Sequence, residues 1–214
     1  MASDTYPAQR ERAELCDLFV EVGPDAPTLC GDWTTRDLAA HLVVRERRPD
    51  AAVGIVFSKA AGYLDKVQAG AADTDWTELI DTVRSGPPVW SPTRIAAVDK
   101  AANTIEFFVH HEDVRRAGDT WEPRELDADL NAALYAMLAK MAKRLVSSSP
   151  VGITFEPADG SDPVVAKDAE PSVTVRGEGG ELVLFAYGRQ DHSRVEIIGD
   201  DASIDSVSSA SFGI

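Results

Sequence analysis

The chain has 214 residues, 44% of them hydrophobic, which is enough for one large domain or two small ones with a real core. Its net charge of −15 repels nucleic-acid phosphates and anionic membranes, so neither is an expected partner. No apolar run reaches the length of a membrane span. The start, Met1-Ala-Ser-Asp-Thr-Tyr-Pro7, lacks the basic segment and apolar block of a secretory signal, so the cytoplasm is the expected location.

In chain order, Arg10 to Val22 carries apolar residues at helical spacing, stopped by Gly23-Pro24. After a loop, Thr34-Thr-Arg-Asp37 has the logic of a capping box and opens a helix that runs to about Arg48 and ends at Pro49. Ala51 to Ala69 is a third helical pattern, with Val53, Val56, Phe57, Ala60, Tyr63, Leu64 and Val67 as its apolar set. Asp73 to Arg84 is a shorter one. Ser91-Pro92 places an N-cap before a first-turn proline, predicting a helix that runs to about Ala117 and is closed by Gly118. A last long helix is expected from about Ala128 to Ser147. Ser147-Ser-Ser-Pro150 then breaks both composition and periodicity. Beyond it, Gly152–Phe155, Ser172–Arg176 and Val195–Ile198 read as strands, and Glu181–Tyr187 as a short apolar helix. The pattern predicts an up-and-down helical bundle over residues 1–149 and a small α/β domain over 150–214, packed on it because 65 residues are few for an independent fold.

The most informative pattern is Glu106 and His110, four residues apart on one face of the predicted helix. Such a pair is either an ordinary solvated pair or half of a metal site. Phe107, Phe108 and Val109 make the segment too apolar to face solvent, and a carboxylate held inside must be paired or bound to metal. Zinc accepts such ligands, and a catalytic zinc usually takes three, leaving one position open. Of the four histidines (His41, His110, His111 and His192), His41 is the first candidate for a third ligand, since it too sits in an apolar helix. The alternative for His41 is a core histidine with hydrogen-bonded nitrogens. His111 points about 100° away from His110 and reads as a surface or helix-packing residue. His192 lies in a polar turn and reads as solvated. Asp113, one turn past His110, either orients a ligand or pairs with Arg116. Cys16 and Cys30, the two cysteines, form no C-x-x-C pair and no disulfide framework. Both read as reduced core thiols, with Cys30, just before the Gly31-Asp32-Trp33 turn, the better candidate for reactivity. The cluster Arg45, Arg47 and Arg48 stands out in so acidic a chain, either anchoring an anion or offsetting acidic neighbours.

Three segments make the chain resemble the mycothiol-dependent maleylpyruvate isomerase family within the DinB-like metal-binding bundles. They are Leu29-Cys-Gly-Asp-Trp-Thr-Thr-Arg-Asp-Leu-Ala-Ala-His41, the Glu-x-x-x-His-x-x-Asp pattern over Glu106 to Asp113, and Leu182-Val-Leu-Phe-Ala-Tyr-Gly-Arg189. The likeness is greatest to an uncharacterised metal-binding branch marked by residues 42–50. The resemblance implies an α+β protein, a DinB-like four-helix bundle followed by a sterol-carrier-like domain. It implies His41, Glu106 and His110 as ligands of zinc, or another divalent metal such as nickel, with Asp113 behind them; Arg189, in the matching Gly-Arg, is either a carboxylate-binding cation or an ordinary packing or ion-pairing arginine of a very acidic protein. In those isomerases the metal presents the thiol mycothiol, whose thiolate adds to a conjugated double bond and leaves after rotation. The implied function is therefore a metal-dependent transferase or isomerase, with mycothiol or another small thiol and an electrophile as partners, acting as a monomer or homodimer. Two other readings stand beside it: a zinc-dependent hydrolase, and a non-enzymatic metal or small-ligand binder.

Overall fold

The structure is a computed structural model and describes residues 6–51, 61–91 and 94–213. Its chain divides into two compact units, Met1–Trp121 and Glu122–Ile214.

The first unit is helical. α1 (Pro7–Val22) starts on a proline whose missing N–H costs a first turn nothing, and stops at Gly23, whose φ of +80° suits a residue without Cβ. α2 (Thr35–Arg47) opens with the expected capping box: Thr34 Oγ1 accepts from the Asp37 N–H, and Asp37 Oδ2 accepts from the Thr34 N–H. α3 (Ala61–Ala72) is followed by α4 (Trp76–Ser85), capped by Asp75, which accepts from the Thr77 and Glu78 N–H groups. α5 spans Ala96–Arg115. α1 packs on α4 and α5, and α2 packs on α3 and α4. Leu15, Phe19, Leu38, Leu42, Leu79, Val83, Phe107 and Val114 form one core between them. Burying each of the larger side chains stabilises the unit by about 1.5–3 kcal/mol.

Two helix ends differ from expectation. α5 begins at Ala96 with Ile95 as N-cap, while Pro92 lies outside the described residues, as do Val53, Val56, Phe57 and Ala60 of the third pattern. α5 ends at Arg115, before Gly118, which holds no positive φ. There Arg116 sends its Nε to Glu112 Oε2 at 2.6 Å and lays its guanidinium over the Trp121 ring.

The second unit begins with α6 (Ala128–Leu145), capped by Asp127. A sheet follows, of β1 (Gly152–Pro157), β2 (Val164–Lys167), β3 (Ser172–Gly177) and β4 (Glu196–Ile198), in the order β2-β1-β3-β4. β1 and β3 are parallel, with Ile153 opposite Val173 and Phe155 opposite Val175; the outer pairings are antiparallel. α7 (Gly179–Ala186) joins β3 to β4 and is buried along its whole length, and α8 (Asp201–Ser208) follows β4. Gly179 permits the close approach of α7 to α6: a Cβ there would lie 2.4 Å from the Asn131 carbonyl oxygen.

The sequence places the domain boundary at residue 149, one helix later than the division between Trp121 and Glu122. The reason is the partner of the apolar stripe Leu130, Leu134, Tyr135, Leu138, Ala142 and Leu145. α6 packs on α7 and β2, so it belongs to the second unit, and the Ser147–Pro150 break is a turn inside that unit. β2 and α8 carry too few apolar residues for periodicity to reveal. Among the described residues no helix is long and apolar enough to cross a membrane.

Candidate metal centre

α2 and α5 bring together side chains that are 65 residues apart in sequence. His41 stands in the second turn of α2, with Leu38, Ala39, Ala40 and Leu42 buried around it, and its ring lies 5.3 Å from that of Trp33. Glu106 and His110 stand one turn apart on α5. His41 Nε2 is 3.3 Å and His110 Nε2 is 3.4 Å from the same oxygen, Glu106 Oε1, and the three ligand atoms lie within 4.8 Å of one another. The two imidazole side chains are 12% exposed and Glu106 is 23% exposed, so the cluster is sheltered but open on one side.

These spacings can be compared with those of a hydrogen-bonded cluster and of a metal site. Normal N–H···O hydrogen bonds cluster near 2.9–3.0 Å. A tetrahedron with metal–ligand bonds of about 2.05 Å has edges of about 3.3 Å. The separations of 3.3 and 3.4 Å from Glu106 Oε1 are compatible with such edges, and in the metal-free protein they are long hydrogen bonds. Two imidazoles and one carboxylate are also the donor set that zinc accepts while keeping a position open. The residues therefore fit a divalent metal, on geometry as well as on chemistry.

Behind His110, Nδ1 lies 2.9 Å from Asp113 Oδ2, and the Asp113 side chain is fully buried. A carboxylate on Nδ1 fixes the tautomer that turns the Nε2 lone pair toward Glu106 and His41, the arrangement usual behind metal-bound histidines. Cys30 donates its S–H to the same Asp113 oxygen at 3.0 Å, and the Leu29 N–H donates to the Asp113 carbonyl at 3.0 Å. The loop before α2 is thus fastened to α5 next to the centre. Arg45, one turn beyond His41, places Nε 3.1 Å from Glu106 Oε1 and Nη1 2.5 Å from Asn103 Oδ1.

Burial lowers the pKa of His41, an effect that its contact with Glu106 only partly offsets, so it is poised as a neutral ligand. Burial would raise Glu106, but the hydrogen bonds from His110 and His41, with the charges of His110 and Arg45, hold it well below the usual carboxylate range. Burial would lower His110, but Asp113, Cys30 and Glu106 together hold it well above the usual imidazole value.

The other singled-out residues have surroundings of their own, each within its unit. His111 is buried against α1, with Nδ1 3.1 Å from Glu11 Oε2, and so packs helices. Arg116 serves Glu112, whereas Asp113 serves His110 and Cys30. Arg47 donates to the carbonyls of Thr82 and Gly86 at the end of α4, and Arg48 pairs with Asp50, so the arginine cluster divides into three separate tasks. Cys16 is buried in the core and its thiol is pushed up to about 12 by burial. Arg189 belongs to the second unit, where Nη1 donates to the Tyr187 carbonyl at 2.6 Å. His192 is half-buried in a 3-10 turn, less solvated than its polar setting suggests. The places of Arg45 and Cys30 beside the centre went unassigned in the sequence. Arg45 carried a signal, since four residues separate it from His41 on one helix face.

No protein-family model and no curated protein matches the sequence. Among solved structures the chain is similar to the mycothiol-dependent maleylpyruvate isomerase, with a TM-score of 0.62 and 14% identity over 90% of this chain and 91% of that one. A histidine-to-alanine mutant of that enzyme gives a TM-score of 0.61, at the same identity and coverage. At that identity the likeness establishes a shared fold.

Proposed function

We propose that the first unit holds one divalent metal ion, zinc by its donor set, through His41 Nε2, Glu106 Oε1 and His110 Nε2, and that the protein is a thiol-dependent transferase or isomerase. The observation that supports this most is the pair of ligand separations, 3.3 and 3.4 Å, about a single carboxylate oxygen. The shared fold with a mycothiol-dependent isomerase supports the choice of chemistry, with mycothiol or a similar small thiol as co-substrate.

Each residue has a task. His41 and Glu106 reach the site from different helices, so the ion would staple α2 to α5. Asp113 holds the Nδ1 proton of His110 and keeps Nε2 available. Trp33 walls one side of His41 and limits water there. When bound, the metal would supply positive charge at an open position, where a thiol becomes a ready nucleophile near neutral pH. Glu106 and His110 keep part of their side chains exposed, so a ligand would reach the site from solvent.

The test uses the purified protein loaded with cobalt. Addition of a small thiol should produce a sulfur-to-cobalt charge-transfer band, and a reactive electrophile should then disappear only when thiol is present. A band with no turnover of any electrophile supports a binding protein. Turnover without thiol supports a hydrolase, and either result overturns the transferase or isomerase assignment.

A further inference from the structure

We propose that the first unit has a second ligand site, apart from the centre above, and that it takes a small organic carboxylate. The site is a cleft of about 320 Å³ bordered by the start of α1, the end of α4 and the start of α5; among the described residues Tyr6, Arg12, Arg84, Arg94 and Asp99 supply its polar wall. That volume lies at the lower end of ligand clefts, so the occupant is small. His41, Glu106 and His110 do not line it. Asp99 stands two turns before Glu106 on α5, about 10 Å along the helix, and the inference does not depend on the metal reading.

The cleft has donors to spare. Arg12 is 6% exposed. Its Nη1 donates to Glu46 Oε2 at 2.7 Å and to the Val83 carbonyl at 2.9 Å, and its Nη2 donates to Glu46 Oε1 at 2.5 Å. Its Nε N–H has no hydrogen-bond partner among the described residues, whereas every enclosed side-chain nitrogen and oxygen there has one. The Nε of Arg12 therefore opens on the cleft that this side chain lines. Arg94, exposed at the mouth, donates Nη1 to the Pro87 carbonyl at 3.0 Å, and no carboxylate among the described residues pairs with it. Arg84 gives its Nη2 to Asp17 Oδ1 at 2.8 Å.

The charge balance selects the ligand. Asp99, the one carboxylate in the lining among the described residues, is already satisfied. Tyr6 Oη donates to its Oδ2 at 2.6 Å, Asn103 Nδ2 donates to its Oδ1 at 2.5 Å, and Arg12 Nη2 lies 3.8 Å from Oδ1. Burial and Asp99 push the Tyr6 hydroxyl up to about 12, so it stays neutral. Around the cleft and directly behind its wall, Arg12, Arg47, Arg84, Arg94 and Lys100 stand against Asp17, Glu46, Asp81 and Asp99. Five positive charges against four negative leave an excess of one, in a chain of net charge −15. The excess sits on Arg94, and a carboxylate matches the fork of a guanidinium better than any neutral group. Ala13, Pro87 and the Tyr6 ring give the occupant's body an apolar side to rest on.

The experiment titrates benzoate and its neutral isostere benzamide into the purified protein by ligand-observed NMR, in the wild type, Arg94→Gln and His41→Ala. Arg94 is exposed, so its replacement should leave the fold intact, which circular dichroism checks. The wild type should bind benzoate saturably and about tenfold more tightly than benzamide. Arg94→Gln should weaken benzoate by about tenfold and leave benzamide unchanged, while His41→Ala should leave benzoate unchanged. No saturable benzoate binding in the wild type overturns the site, and equal affinities for the two probes overturn the anionic class. Benzoate affinity that falls with His41→Ala and not with Arg94→Gln puts the probe at the metal centre, which overturns the second site and leaves the metal reading standing.

Discussion

The two units of the chain keep different things inside. Among the described residues the first unit buries Glu11, Arg12, Glu46, Asp99, His111, Glu112, Asp113 and Arg116, whereas the second buries Glu181 as its one charged side chain. Charge is costly to bury and survives there only when fully paired. The first unit meets that condition by linking its charges into chains. One runs from Glu106 through Arg45 and Asn103 to Glu46 and Arg12, and no buried side-chain nitrogen or oxygen among the described residues lacks a hydrogen-bond partner. The second unit buries Phe155, Phe185, Val175 and Leu184 in an ordinary apolar core under a sheet. The contrast agrees with the proposed centre in the first unit, because a polar interior holds side chains rigid and oriented whereas an apolar one supplies stability.

Cutting the chain is the strongest way to break this comparison. A fragment ending at Trp121 should be soluble and folded, whereas one ending at Ser149 carries α6 with its stripe of Leu130, Leu134, Leu138 and Leu145 unpartnered and should aggregate. Equal behaviour of both fragments in size-exclusion chromatography would place the boundary elsewhere. Next in size is Glu46→Gln. It leaves the buried Arg12 guanidinium short of its counter-charge and should cost about 3–5 kcal/mol in a denaturant titration. A loss under 1 kcal/mol would mean that the buried chain is not a stabilising unit. Leu182→Ala in α7, fully buried, should cost about 2–5 kcal/mol of stability yet leave metal affinity unchanged. Asp113→Asn should do the reverse, weakening metal by about 10–100-fold with little loss of fold. If Leu182→Ala changed the metal dissociation constant and Asp113→Asn did not, the division of labour would be wrong.

Much of this was legible in the sequence, and the failures share a cause. The Thr34–Asp37 cap, the long helices and the Glu106/His110 spacing are local patterns, each fixed by residues within about one turn. The approach of His41 to that pair was reached from composition and resemblance, because apolar surroundings on two helices pointed inward. Long-range choices stayed hidden. The amphipathic stripe of α6 says that the helix is buried on one side but not by what, so the boundary read at residue 149 and the division into compact units at Trp121 differ by one helix. Arg45 and Cys30 reach the centre through side-chain directions that only the packing of α2 and the loop before it against α5 determines.

The smallest expected effect concerns pH. In the metal-free protein His110 is raised, so its contribution to stability is fully present below its ordinary pKa and is lost as pH rises through the raised value. Glu106 is depressed, so its contribution is present above the ordinary carboxylate value and is lost as pH falls through the depressed one. Metal must displace the His110 proton. The gap in Tm between zinc-loaded and metal-free protein should therefore widen from about pH 6 to about pH 8. A gap that is constant or narrows would argue against His110 as a ligand.

The central claim is most directly tested by zinc stoichiometry in the wild type and in His41→Ala, the ligand contributed by the other helix. One equivalent of zinc in the wild type and none retained after dialysis of the variant is the predicted result. A wild type without zinc affinity, or a variant that keeps its full equivalent, would contradict it.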